Sequence, residues 1–190
     1  AERPGLRSFE VLHAAYHPFA ATVEADWSQA AFWYAANFLD SRVEIRDLNP
    51  DSGQGDKVVS ELYWQLARPG DAEIDVSGCP DLLPPLAAAM AFAKGESRLT
   101  GAARLRLKES DRLAGMAGLL RALGGRVEEE PDGLRIAGSG LRGGVADPCG
   151  DHRLAMAAAV AALACREPVT IKDAECVEKS YPAWWGLFCE

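Results

Sequence analysis

Apolar residues gather along the chain in three alanine-rich stretches, ADWSQAAFWYAA, PDLLPPLAAAMAFA and GDHRLAMAAAVAALA, opening around Asp26, Asp81 and Asp151. Aspartate is a favoured N-cap, and Ser28 or the prolines after Asp81 suit a first turn, so each stretch predicts a helix. A short β-type run follows each at a matching offset: RVEIRDL, SRLTGA and PVTIKDA. Thirty residues after each aspartate stands a second helix start, at Gln54-Gly55-Asp56, Ser110-Asp111-Arg112 and Ser180-Tyr181-Pro182. This regularity predicts three copies of a strand-helix-strand-helix unit.

The units are expected over roughly residues 9–70, 71–142 and 143–190 of a single α/β domain spanning 1–190. The middle unit adds a hairpin, because GRVEEE and GLRIAG flank the turn formers Pro131-Asp132-Gly133. The first looks trimmed, with Leu66 followed almost at once by Ala67-Arg68-Pro69-Gly70-Asp71 and the strand Glu73–Val76. The alanine-rich helices are apolar nearly all round, which fits burial in a shared centre. The expected architecture is therefore inside-out, with helices inside and sheets facing outward. Equivalent helices would point the same way, bringing their loops to one face.

Composition narrows the function. The chain is 48% hydrophobic and 25% charged, as in a soluble globular protein, and no apolar run reaches the length of a membrane span. A net charge of −8 argues against a nucleic-acid backbone as partner. Ala1 to Ser8 reads as a polar lead-in with no signal pattern. Five cysteines without a C-x-x-C pair suggest free thiols in a reducing cytoplasm, with no structural zinc.

The candidate chemistry lies where loops run into helices. LKESDRL (Leu107–Leu113), GDHR (Gly150–Arg153) and EKSYP (Glu178–Pro182) concentrate charge at such junctions. A helix N-terminus is already positive, so lysine and arginine there oppose local stability unless a multiply charged anion sits between them. Arg98, Arg104, Arg106, Lys108 and Arg112 form a basic stretch on an acidic body, suited to a small anion. The alternative is a solvated face with ordinary ion pairs, Arg112 with Glu109 and Arg153 with Asp151.

LKESDRLAGM, DHRLAMAAAVAAL and VEKSYPAWW resemble signature segments of the 5-enolpyruvylshikimate-3-phosphate (EPSP) synthases. VEADWSQAAFWYAA, DSGQGD and CPDLLPPLAAAMAFAKG resemble the flanking segments in the same order, from about Phe9 onward. The resemblance implies an inside-out α/β protein of two lobes, each built of three similar units. This chain corresponds to the second, with the first lobe and a short N-terminal strand missing. It also implies transfer of the enolpyruvyl group of phosphoenolpyruvate to the 5-hydroxyl of shikimate 3-phosphate, with release of phosphate and no metal or organic cofactor.

By the same resemblance Arg112, Arg153 and Lys179 hold the phosphoenolpyruvate side and Lys108 the shikimate 3-phosphate side; His152, which adjoins Arg153, is read as orienting the phosphate side, with a structural histidine as the alternative. Glu109 serves proton transfer at the phosphoenolpyruvate methylene, and Asp81 takes the 5-hydroxyl proton. Asp81 also reads simply as an N-cap, like Asp26 and Asp151. Arg104 stands where many members carry asparagine. Two other functions remain open from the residues: a module that binds phosphorylated metabolites, and an enolpyruvyl transferase for a different acceptor.

Overall fold

The computed structural model describes residues 12–189; the expected start of the first unit, the polar lead-in and Glu190 lie outside them. The middle of the chain forms the most complete unit. β1 (Ala72–Asp75), α3 (Leu83–Met90), β2 (Glu96–Thr100), α4 (Arg112–Ala122), β3 (Arg126–Glu130) and β4 (Gly133–Ala137) follow one another. They build a four-stranded sheet in the order β1-β2-β4-β3. β1 and β2 are parallel, with Ile74 opposite Leu99, and parallel neighbours need a crossover, which α3 supplies. β4 runs antiparallel to both β2 and β3, setting Leu134 against Leu99. The hairpin turn requires a glycine, since a Cβ at Gly133 would lie 1.8 Å from the Leu99 carbonyl oxygen.

The third unit is smaller. β5 (Gly144–Ala146) and β6 (Val169–Ile171) pair in parallel across α5 (His152–Ala162), and α6 (Trp184–Phe188) closes the chain. The Ser180-Tyr181-Pro182 start is displaced: Ala174–Lys179 forms a 3-10 helix and α6 begins at Trp184. Fully buried Trp184 stacks on Phe188 at 5.2 Å and meets Trp33 at 4.8 Å, so α6 is clamped onto the first unit.

The first unit departs from expectation. It contributes α1 (Trp27–Phe38) and α2 (Val59–Leu66) but no strand among the described residues. The RVEIRDL run and the segment before α1 are both irregular, with Leu12, Tyr16, Phe19 and Val23 exposed. A strand exists only where its N–H and C=O groups find a ladder partner, and nothing among the described residues pairs with either run. Asp47, at φ +62°, also breaks the extended path inside RVEIRDL.

The centre is helical. All eight residues of α3 are buried, as are Leu154 to Ala161 of α5, and α1 buries Ala31, Phe32, Ala35 and Ala36 against them. Alanine allows such close approach, and α3 tolerates Pro84 and Pro85 because first-turn residues have no intrahelical N–H bond to lose. Glycine serves the same purpose where α4 meets α5: a Cβ on Gly115 would come within 2.7 Å of Leu154 Cδ1. The sheet lies outside this helical centre, and the helix starts gather at one end.

Candidate active site

Four segments meet where α4 and α5 begin. The Ser110–Arg112 corner opens α4, Asp151–Arg153 opens α5, Asp81 lies in the 3-10 turn Pro80–Leu82, and Lys179 ends the 3-10 helix Ala174–Lys179. Three of the helix-opening aspartates behave as caps. Asp26 accepts from the amides of Ser28 and Gln29, Asp111 from that of Ala114, and Asp151 from that of Arg153.

Asp81 caps nothing, contrary to the reading that makes it equivalent to Asp26 and Asp151. The two amides it would need belong to Leu83 and Pro84. Leu83 gives its N–H to the Pro80 carbonyl, and proline has none. The freed carboxylate instead accepts from Arg112 Nη1 at 2.9 Å and lies 3.2 Å from Arg153 Nη2 and 3.5 Å from Lys108 Nζ. Burial works to raise this carboxyl, but Arg153, Lys108 and Arg112 together outweigh it and hold it below its ordinary value.

Arg112 is the hub, with its side chain 1% exposed. Nε donates to Asp151 Oδ2 at 2.8 Å, and Nη2 to Glu109 Oε2 at 2.8 Å and to Asp151 Oδ1 at 3.3 Å. Glu109 also faces Lys179 Nζ at 3.5 Å. Its carboxyl is lowered by a bond to its own backbone N–H, opposed by burial, and lowered further by Arg112, Lys179 and His152. The ion pair of Arg112 with Glu109 therefore forms, but inside a larger cluster. The Arg153 guanidinium pairs with Asp81 rather than Asp151, and its buried Nη1 has no partner.

His152 is buried beside these groups, and its Nδ1 has no partner. Burial first, and then Arg153, lowers its pKa, while Asp151 and Glu109 pull the other way. The seven sequence-derived candidates, Asp81, Lys108, Glu109, Arg112, His152, Arg153 and Lys179, thus come together. The basic stretch does not act as one patch: Arg98 pairs with Glu130 and Glu73, and Arg106 with Asp111 and Glu129. Arg104 donates to the Ser77 carbonyl.

Two residues were not among the sequence-derived site candidates. Asp151, read there as a cap and a partner of Arg153, grips Arg112 from 39 positions away. Buried Asp56 accepts from the Ser28 hydroxyl, and burial raises its carboxyl, with Asp81 and Arg153 also felt there. The first unit joins the third where Gln29 Nε2 donates to the Ser180 carbonyl at 2.8 Å. Among the described residues no group of three His, Cys, Asp or Glu could hold a metal ion, and no helix is long and apolar enough to cross a membrane.

Chemically, two guanidinium groups and two ammonium groups surround two partly exposed carboxylates. Such a site can draw a small polyanion out of water and move protons beside it.

Solved structures share this fold. An EPSP synthase from Acinetobacter baumannii superposes with a TM-score of 0.74 at 29% identity, over 87% of this chain and 45% of that one. The enolpyruvyl transferase NikO from Streptomyces tendae does so with a TM-score of 0.63 at 19% identity, over 89% and 43%. The architecture is therefore that of an enolpyruvyl transferase.

The family model for EPSP synthase (3-phosphoshikimate 1-carboxyvinyltransferase) matches residues 13–188, and the chain belongs to that family. The 3-phosphoshikimate 1-carboxyvinyltransferase of Clostridium acetobutylicum is 45% identical over 178 residues, covering 86% of this chain and 42% of the relative. That of Clostridium novyi is 41% identical over 182 residues, covering 87% and 42%. The chain thus spans somewhat under half the length of these curated relatives.

Proposed function

We propose that the chain is the second lobe of a 3-phosphoshikimate 1-carboxyvinyltransferase and supplies half of a bipartite active site. The observation that carries this reading is the sharing of Arg112 between Asp81 and Glu109, with Arg153 and Lys179 on their far sides. Fixed cations there would let phosphoenolpyruvate approach a second phosphorylated molecule despite repulsion.

The reaction needs proton transfers at two places, the 5-hydroxyl and C3. Asp81 takes the proton of the 5-hydroxyl of shikimate 3-phosphate as its oxygen bonds C2 of phosphoenolpyruvate. A proton from Glu109 goes to C3, making a methyl group and a tetrahedral intermediate. In elimination the C2–O bond to phosphate breaks, phosphate leaves with the electron pair and takes up the proton held by Asp81, and C3 returns a proton to Glu109. Lys108 serves the shikimate 3-phosphate side, while Arg112, Arg153 and Lys179, with His152 beside them, serve the phosphoenolpyruvate side.

At rest Glu109 is held low first by its own backbone N–H and then by Arg112 and Lys179, so it becomes a proton donor only when a bound anion displaces it from those cations. Closure against a first lobe, by excluding water, raises a carboxyl further. No metal or organic cofactor enters these steps. The reaction is placed in the cytoplasm, which suits five free cysteines, two of them exposed.

The test is reconstitution. The chain alone is expected to release no phosphate from phosphoenolpyruvate. Mixed with a separately made first half of a relative, it should do so when shikimate 3-phosphate is added. Release by the chain alone refutes the half-site. Tight phosphoenolpyruvate binding that ignores the partner half would favour a phosphometabolite-binding module. Turnover with another hydroxyl acceptor, but not with shikimate 3-phosphate, would favour a different transferase.

A further inference from the structure

Arg112 is held by three carboxylates, and they are not equivalent. Asp151 is 0% exposed and grips the inner edge of the guanidinium through Nε and Nη2. Asp81 and Glu109 are 27% and 31% exposed, and each holds one prong of the outer Nη1/Nη2 fork. A ligand carboxylate or phosphate can replace the outer two, because water and neighbouring cations receive them when they let go. Asp151 has no such escape: a carboxylate left buried without its partner is strongly disfavoured. The inner contact is therefore permanent and the outer ones exchangeable.

We propose that Asp151 is the positioning residue that turns Arg112 from a flexible side chain into a fixed anion fork. The inference rests on the functional reading above for the identity of the anion. Asp151 is well placed for the task. Its Oδ1 also accepts the amide of Arg153 at 2.9 Å, and its Oδ2 lies 3.3 Å from the Ser110 hydroxyl. One carboxylate thus ties the start of α4 to the start of α5 and sets the spacing of the two arginines. A guanidinium has five N–H groups; with Nε and one Nη2 hydrogen committed inward, three remain, and one on Nη1 with the one left on Nη2 forms the outward bidentate pair. Pre-orienting that fork removes the rotamer entropy that a free arginine would lose on binding.

The test uses Asp151→Asn, since asparagine caps a helix as well as aspartate does and preserves size. In the reconstituted mixture the KM for phosphoenolpyruvate should rise on the order of 10²-fold, as expected for a misplaced binding group. The KM for shikimate 3-phosphate should stay the same and kcat should change far less. In an Arg112→Gln background the Asp151→Asn change should add nothing to the phosphoenolpyruvate KM. An equal penalty in both backgrounds, or a folded Asp151→Asn protein with an unchanged KM, overturns the proposal.

A second readout needs neither ligand nor partner. The Arg112 Nε–H resonance of the unaltered 190-residue chain, assigned by its loss in Arg112→Lys, should be protected from exchange with water. Exchange as fast as that of exposed arginines overturns the proposal even if the asparagine variant fails to fold. An unaltered mixture that never responds to phosphoenolpyruvate would defeat the functional reading, while this exchange measurement still decides whether Asp151 anchors Arg112.

Discussion

Lys179 and Glu109, 70 positions apart in the chain, meet at 3.5 Å, ammonium to carboxylate, across the junction of the second and third units. The lysine is 62% exposed and the glutamate 31%, so the pair contributes little to stability. Lys179→Met should therefore leave urea unfolding of the chain within about 0.5 kcal/mol of the parent. In the reconstituted mixture the same change should raise the phosphoenolpyruvate KM at least about tenfold, since about 1.4 kcal/mol corresponds to a factor of ten. Loss of stability without loss of affinity would assign Lys179 a structural role.

Arg153 has one buried nitrogen without a partner and another 3.2 Å from Asp81. Arg153→Ala should weaken the phosphoenolpyruvate response on the order of 10²-fold, and Arg153→Lys should recover little of it, because an ammonium lacks the planar fork. A phosphoenolpyruvate titration that superimposes on the parent curve would remove Arg153 from the site.

Asp81→Asn keeps the shape and an acceptor for the three surrounding cations but removes the proton acceptor. In the mixture kcat should fall by about 10²–10⁴, the usual contribution of a positioned base, with a smaller change in either KM. A kcat within a few-fold of the parent would move the base to another residue.

His152 makes stability depend on pH. Its folded pKa lies below the ordinary 6.5, chiefly through burial, so protons bind the unfolded chain more readily. The contribution is fully present above pH 6.5 and is lost as the pH falls through the lowered folded value. The stability difference between the parent and His152→Gln, followed by urea unfolding from pH 7.5 down to about 5, should shift against the parent on acidification. A difference independent of pH would mean that the imidazole is not held neutral.

Cys79 should resist thiol reagents. Burial, with Asp56 and Asp75 nearby, raises its pKa to about 11, and the side chain is enclosed. Native chain treated with a disulfide reagent near pH 8 should modify exposed Cys149 and Cys189 first, and Cys79 only on unfolding. Mass mapping of the modified cysteines decides this.

The sequence reveals most where local chemistry coincides with tertiary need. The hairpin around Pro131-Asp132-Gly133 and the α3 and α5 centre are legible because turn residues and all-round apolarity suffice to specify them. The strand pattern of RVEIRDL misleads, since alternation states a preference while pairing requires a neighbour. In the site, charge at helix starts marks the cations. It hides which acid serves which cation, because the Asp151 cap signal is local while its contact with Arg112 is not. The basic stretch misleads for a related reason: Arg98 and Arg106 reach carboxylates of the outer sheet, whose register no single-strand pattern contains.

Pro84, with the Leu83 amide already spent on Pro80, leaves the start of α3 without a donor for Asp81. The helix forgoes a cap that elsewhere contributes about 1 kcal/mol, and the carboxylate goes to Arg112, Arg153 and Lys108 instead. Giving that turn back an amide hydrogen, as Pro84→Ala would, should recruit the carboxylate into scaffolding. A sturdier chain and a slower reconstituted mixture would then come from the same substitution.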